Sequence, residues 1–370
     1  MMNFPETPCV IIDYDILSAN IKRMQRICDE NGCDLRPHIK THKSVEIAKM
    51  QIAAGAAGIT CAKLSEAEVM AEGGIDDIFV AVPLIGSKIS RGIELAGKIK
   101  RLILTVDSIE GATALSKEAQ RNNIELEVRL EIDTGAKRTG VPIQAGLDLA
   151  EKISNLPGLN LTGVWTFKGM TYNGQKTTNH KEAADEECAL IYEFVQTLNQ
   201  RDFNIKDISV GSTPTAEHYS PSAAKGLITE VRPGTYAFND VMCMLYQSCT
   251  QEDIAASICA TVISTPTPEL AIIDGGSKTF ATDQKLNTPP LNFHSFAYVK
   301  GRPDLRFDRL SEELGMLRTE SGNATNLKVG DILEFFPIHI CPTINLHNNL
   351  YVEEGGIFRE IPVNARGMLI

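Results

Sequence analysis

Arg36, His38, Lys40, His42 and Lys43 crowd one stretch, Arg-Pro-His-Ile-Lys-Thr-His-Lys, at the C-terminal end of a first predicted strand. Alternate residues of a strand share a face, so a predicted strand Leu35–Lys40 would align His38, Lys40 and His42, with Arg36 extending the row. A lysine among other cations has a lowered pKa, the condition for an amine nucleophile that forms a Schiff base. A solvated basic turn opening a helix fits the cluster equally well. A second pair, His339 and Cys341 with Pro342 behind them, offers an imidazole nitrogen and a thiolate sulfur. On a strand both would reach one metal ion, and that ligand mix favours zinc, with substrate oxygens or water completing the shell. For a lone His-x-Cys, a packed cysteine beside a hydrogen-bonded histidine is the plainer reading.

Four further stretches carry chemistry by position. Ser209–Thr215 sets Gly211 among Ser212, Thr213 and Thr215, and Arg232–Tyr236 sets Gly234 beside Thr235 and Tyr236. Backbone N–H groups and hydroxyls in such turns can hold a phosphate. Glu131–Gly140 supplies an acid, a tight turn and Arg138, a candidate partner for an anionic ring oxygen. Lys168–Tyr172 brings a phenol. Taken singly, each is more often a plain turn.

The elements that must position these residues alternate. Apolar runs at Leu35–Lys40, Gly58–Ala62, Asp77–Val82, Arg101–Val106, Leu126–Ile132, Leu159–Phe167, Asp207–Val210 and Thr229–Val231 read as eight short strands with helices between them. Without clean alternation they predict a parallel sheet buried on both faces, and eight strand–helix units suit a closed (β/α)8 barrel. A doubly wound open sheet is the alternative. All the stretches named above except His339–Cys341 then fall at the C-terminal ends of barrel strands, the catalytic end of that fold. Ahead of the barrel, Leu17, Ile21, Met24 and Cys28 mark an amphipathic covering helix behind Asp15 as N-cap. After Asp240 short apolar stretches separated by Pro, Gly and Asn predict a mostly β domain. The expected division is 1–240 and 241–370, with the first ten or so residues packing on the β domain.

The 370 residues suffice for a barrel with an appended module. A net charge of -11 without a Lys/Arg block excludes a phosphate-tracking surface, so neither nucleic acid nor an acidic membrane is expected as a partner. Nine scattered cysteines, none in a Cys-x-x-Cys pair, indicate a reducing compartment. The sequence shows no secretory signal and no membrane-length apolar run, and a cytoplasmic location is expected.

In order, TPCVIID (7–13), RPHIKTHK (36–43), TCAKLSEAE (60–68), EIDTGAKRTG (131–140), SVGSTPT (209–215), VRPGTY (231–236) and IHICPTINLH (338–347) resemble the D-serine dehydratase and D-threonine aldolase family of alanine racemase-like enzymes, over nearly the whole chain. RPHxKTHK and HxCPTxNL are the specific motifs. The resemblance implies an N-terminal barrel carrying pyridoxal 5'-phosphate, a C-terminal β domain and a homodimer. It places the Schiff base on Lys40, with His38 beside the cofactor. Phosphate contacts fall on Gly211, Ser212, Thr213, Gly234, Thr235 and Tyr236, the ring oxygen on Arg138 and the metal on His339 and Cys341. Family aldolases carry Asp where this chain has Cys341, so the implied activity is elimination of a D-β-hydroxy amino acid, as in D-serine dehydratase, with zinc. D-threonine or 3-hydroxy-D-aspartate cleavage is the alternative, with manganese or magnesium and with His38, His42 or Tyr172 as base; dehydration of 3-hydroxy-D-aspartate is another. A racemase or a non-catalytic cofactor-binding protein are further readings. SEELG (311–315) departs from the family in having Leu314 where His is usual.

Overall fold

The computed structural model describes residues 4–219 and 227–370. The chain opens with a strand, β1 (Cys9–Asp13), and a helix, α1 (Tyr14–Glu30), that buries Leu17, Ile21, Met24 and Cys28. The cap sits earlier than the sequence suggests. Asp13, not Asp15, accepts the Ile16 N–H at 2.9 Å, because Asp15 already lies inside the helix.

Eight parallel strands follow: β2 (Asp34–Leu35), β3 (Ile59–Cys61), β4 (Asp77–Pro83), β5 (Arg101–Val106), β6 (Leu126–Asp133), β7 (Leu159–Trp165), β8 (Asp207–Val210) and β9 (Glu230–Val231). They hydrogen-bond in the order β2–β9–β8–β7–β6–β5–β4–β3. The ring closes because the chain after β2 also bonds toward β3. Ala57 N–H donates to Leu35 O, Thr60 N–H donates to Pro37 O, and His38 pairs with Thr60. This is the barrel the alternation predicts. Helices intervene from α2 (Val45–Ala53) through α3 (Leu64–Glu72), α4 (Lys88–Ala96), α5 (Ile109–Arg121) and α6 (Ile143–Ser154) to α7 (His180–Asn199).

The predicted strand Leu35–Lys40 is cut short. Pro37 has no N–H to continue a ladder, and the chain turns through a 3-10 segment, Ile39–Thr41. His38, Lys40 and His42 therefore do not share a strand face. Arg36 leaves the row as well. It is 1% exposed and pairs with Glu230 at 2.6 Å and Asp77 at 2.5 Å. Those acids are the first residues of β9 and β4, so Arg36 belongs to the strand-start end of the barrel, opposite the mouth. Arg129 joins the same ring through Glu230 at 2.6 Å and Asp207 at 3.0 Å. Gly58 makes room for it, since a Cβ there would lie 2.2 Å from the Arg36 Nη1 atom.

Compact packing divides the chain into two units. One holds the described residues of Lys22–Lys40, Ile47–Gly234 and Met368–Ile370, the other those of Met1–Ile21, Thr41–Glu46 and Thr235–Gly367. The second contains a short helix, α8 (Val241–Leu245), and β10 (Ala256–Thr267), β11 (Leu270–Ile273), β12 (Ala297–Val299), β13 (Leu305–Leu310), β14 (Gly315–Thr319) and β15 (Ile332–Pro337). The helix α9 (Ile340–Ile344), β16 (Asn349–Glu354) and β17 (Ile357–Pro362) complete it. The sheet order is β13–β14–β11–β10–β1–β16–β17, with β15 pairing β10 and β12. Phe280, Phe307 and Phe335 meet edge to face or tilted on its core, with centroids 4.9–5.9 Å apart. His339 and Cys341 are on no strand: His339 caps α9 and Cys341 lies in its first turn. Among the described residues no helix is long and apolar enough to cross a membrane.

Candidate active site

Lys40 is half-buried on its 3-10 turn, with Nζ 5.8 Å from the centroid of the Phe167 ring. The Arg138 guanidinium lies 5.1 Å from the same ring, so one aromatic surface carries both cations. Arg138 is exposed, because the loop after β6 runs on the surface. Glu131, in the same strand–loop unit, is 3% exposed and accepts the Thr139 hydroxyl at 2.8 Å, while its Oε2 has no hydrogen-bond partner among the described residues. Burial raises its pKa to about 7.

The loop after β8 forms a cradle. Gly211 takes φ +104°, and a Cβ there would lie 2.9 Å from the Tyr219 ring. The Thr215 hydroxyl accepts the Ser212 N–H at 3.1 Å, sits 2.9 Å from the Ser212 hydroxyl and accepts the Tyr219 hydroxyl at 2.8 Å. Tyr219 also donates to the buried Glu187. Thr213 is buried in this loop. Arg232, fully buried, donates to Ser209 Oγ and, at 2.6 Å, to Thr166 O, and stacks 4.8 Å from Trp165. Burial lowers its pKa to about 10. Sequence reasoning named the turn holding Arg232 only for Gly234, Thr235 and Tyr236; the cue it passed over was a guanidinium directly after the last barrel strand.

The His339 and Cys341 side chains interact although no strand carries them. The two side chains are hydrogen-bonded to each other, and Cys341 Sγ lies 3.2 Å from Thr41 Oγ1 and 3.6 Å from Thr235 Oγ1. His339 Nδ1 is 2.7 Å from an Asp283 carboxylate oxygen, a partner that no sequence motif announced. Burial alone would lower the His339 pKa, but hydrogen bonds to Asp283 and Cys341 outweigh it and raise it to about 11. The Cys341 thiol goes the opposite way: burial would raise its pKa, and the bond to His339 holds it below the ordinary value. Buried Asp240 fixes the segment by accepting the Ile340 N–H at 3.0 Å and the Cys243 N–H at 2.8 Å, so one carboxylate bonds the first turns of α9 and α8.

Other predicted residues are placed elsewhere. His42 is fully buried, its Nδ1 accepting the Ser44 N–H at 3.1 Å and its ring edge-on to Phe238. His38 bridges to Thr60 through its backbone. Tyr172 is 38% exposed on a two-residue ladder with Gln175. Tyr236 is buried and Thr235 opens a 3-10 turn. Leu314 is exposed, its carbonyl closing a turn with the Ser311 N–H at 2.8 Å.

Comparison with known proteins decides the family. The alanine racemase N-terminal domain matches residues 12–240 and a serine dehydratase domain matches 255–353. The chain belongs to the D-serine dehydratase and D-threonine aldolase family of alanine racemase-like enzymes. It is 31% identical to D-threonine aldolase of Arthrobacter sp, over 98% of this chain and 93% of that one. It is 33% identical to D-threo-3-hydroxyaspartate dehydratase of Delftia sp. (strain HT23), over 91% of each. A solved cysteine-to-alanine variant of D-threo-3-hydroxyaspartate dehydratase, in a metal-free form, superposes with a TM-score of 0.89 at 31% identity, covering 97% of both chains. The family's barrel and its C-terminal, mostly β domain are therefore the architecture described above.

Proposed function

We propose that this chain is a lyase dependent on pyridoxal phosphate and a divalent metal, which eliminates water from a D-β-hydroxy amino acid to give a 2-oxo acid and ammonia. The donor set fits the cofactor: an amine on Lys40, a positive-φ glycine with hydroxyls after β8 for a phosphate, and arginines at 138 and 232. It fits a metal too. A histidine that gives one ring nitrogen to a carboxylate is oriented as metal-ligating histidines are, and a depressed thiol pKa favours the thiolate a metal needs.

Pyridoxal phosphate, when bound, supplies an electron sink for the bonding pair released at the α-carbon. His339 and Cys341 would hold a divalent metal, such as zinc, which would supply Lewis acidity toward the leaving hydroxyl. The chain's own part is positional and protolytic. Gly211, Ser212, Thr213 and Gly234 would hold a phosphate, Arg138 would offer a cation to a ring oxygen, and Lys40 would supply the amine that attaches the cofactor and, once free, accepts the α-proton. The β-hydroxyl leaves as water, and hydrolysis of the resulting enamine returns that water and releases ammonia. The family's homodimer, the cytoplasmic setting expected from nine free cysteines, and the division near residue 240 belong to the same reading.

The observation that carries the reading is the meeting of its two specific motifs: Thr41 of RPHIKTHK lies 3.2 Å from the sulfur of Cys341 in HICPT. Product analysis tests it. Ammonia with pyruvate from D-serine, or with oxaloacetate from D-threo-3-hydroxyaspartate, is expected. Glycine with an aldehyde from D-threonine or from the hydroxyaspartate would assign the chain to cleavage, the second reading, which identity to the Arthrobacter aldolase favours.

A further inference from the structure

We propose that His180, Glu217 and His218 form a second divalent-metal site, built from the loop after β8 and the first residue of α7. Three ligand atoms converge there. His180 Nδ1 and His218 Nε2 are 2.5 Å apart, and Glu217 Oε1 lies 3.9 Å from the first and 3.8 Å from the second. A triangle with these edges has its equidistant point about 2.0 Å from every corner, the bond length zinc makes to imidazole nitrogen and carboxylate oxygen. The one departure is the short nitrogen–nitrogen edge. Two ring nitrogens that close share a proton, and an ion replacing that proton separates them toward the ~3.3 Å of tetrahedral coordination at such bond lengths.

The surroundings hold the ligands in place. Asn179 caps α7 by accepting the Glu182 N–H at 3.2 Å, which fixes His180 as the first helical residue. The other oxygen of Glu217 takes Arg23 at 3.4 Å, turning Oε1 toward the histidines. That is the outer support metal-bound carboxylates use. Lys181, the nearest other cation in sequence, pairs with Asp185 at 2.5 Å. All three ligands are half-buried, leaving a fourth position for water. Two imidazoles and one carboxylate favour zinc or another late divalent transition metal over magnesium or calcium. The ion would tie α7 to the loop that carries Ser212–Thr215.

Cobalt(II) binding tests the site apart from the proposed reaction. In the His339→Ala/Cys341→Ala chain, one equivalent of Co2+ is expected to give visible ligand-field bands without the near-ultraviolet charge-transfer band of a thiolate ligand. Adding His180→Asn and His218→Asn should weaken binding ~100-fold or more, and Arg23→Gln alone about tenfold. Far-ultraviolet circular dichroism monitors the fold of each variant. If the folded His339→Ala/Cys341→Ala chain takes up no stoichiometric Co2+, or the two further substitutions leave its affinity unchanged, the pair is only a hydrogen bond between histidines and the proposal falls. Cobalt binding that appears only with Cys341 present overturns it as well, while leaving the His339–Cys341 reading intact.

Discussion

At the scale of single residues, the buried charges set a pH dependence. Glu131 has a folded pKa raised to about 7 by burial, against an ordinary value of 4.5. A raised carboxyl pKa means that the fold favours the proton, so the associated stability is complete below pH 4.5 and lost as pH rises through 7. The shift corresponds to about 3 kcal/mol. Unfolding in urea at pH 5 and pH 8 should show wild type losing a large part of that amount, while Glu131→Gln, which keeps the shape without the charge, loses much less over the same interval. Equal losses would mean the Glu131 carboxyl is already ionised at pH 5. Lys40 supplies a second prediction: Lys40→Ala should abolish the visible absorbance of lysine-bound cofactor in protein mixed with pyridoxal phosphate, and a retained band would move the attachment to another lysine. Lys40 was legible as a candidate because it lies inside the specific motif RPHxKTHK. Asp283 and the Glu131 environment were not, since a carboxylate's partners and burial depend on strands and loops far away in the chain.

At the scale of elements, strand alternation was readable and local turns were not. Asp77, Arg101, Leu126, Leu159 and Asp207 each start a strand where the apolar runs placed it. The errors cluster at prolines. Pro37 ends β2 early, and Pro342 sits in the first turn of α9, where its missing N–H costs nothing because that donor has no intrahelical acceptor. Read that way, His-Ile-Cys-Pro announces a helix start, with His339 at the cap position. The geometry gives a sharper test than strand spacing would. If α9 presents Cys341 to a metal, Cys341→Ala should lower bound zinc from the His339–Cys341 site to a trace and leave the cofactor absorbance in place. Unchanged zinc content after subtracting the histidine cluster's share would rule out Cys341 as a ligand. The loop after β8 offers the complementary case. Gly211→Ala forces a side chain into φ +104° and against the Tyr219 ring, a strain of about 1–3 kcal/mol. Pyridoxal phosphate affinity should fall, by tenfold or so if 1.4 kcal/mol of that strain appears in binding.

At the scale of the whole chain, the net charge of -11 hides a buried ring of paired charges at the strand-start end of the barrel. Composition cannot reveal it, because Arg36, Asp77, Arg129, Asp207 and Glu230 are scattered over nearly 200 positions and meet only when the barrel closes. Closure itself was legible from eight strand–helix units; which charges it would bury was not. Arg36 shows the cost of reading locally, since its motif neighbours suggested the mouth and its partners hold it at the opposite end. Glu230 is the centre of the ring. Burial alone would raise its pKa, but Arg129 and Arg36 hold it far below the ordinary carboxylate value. A depressed folded pKa contributes stability that is complete above pH 4.5 and lost as pH falls below it. Glu230→Gln removes the charge and, among the described residues, leaves the buried guanidinium of Arg129 ion-paired only with Asp207 and that of Arg36 only with Asp77. Stranding buried charges costs about 3–5 kcal/mol, so the variant should unfold at markedly lower urea at pH 7 and lack the acid dependence expected of wild type below pH 4.5. Glu230→Gln with Arg129→Met, which removes a stranded charge as well as the acid, should recover part of that stability. A double variant no more stable than Glu230→Gln would show that Arg36, rather than Arg129, bears the cost of the lost carboxylate.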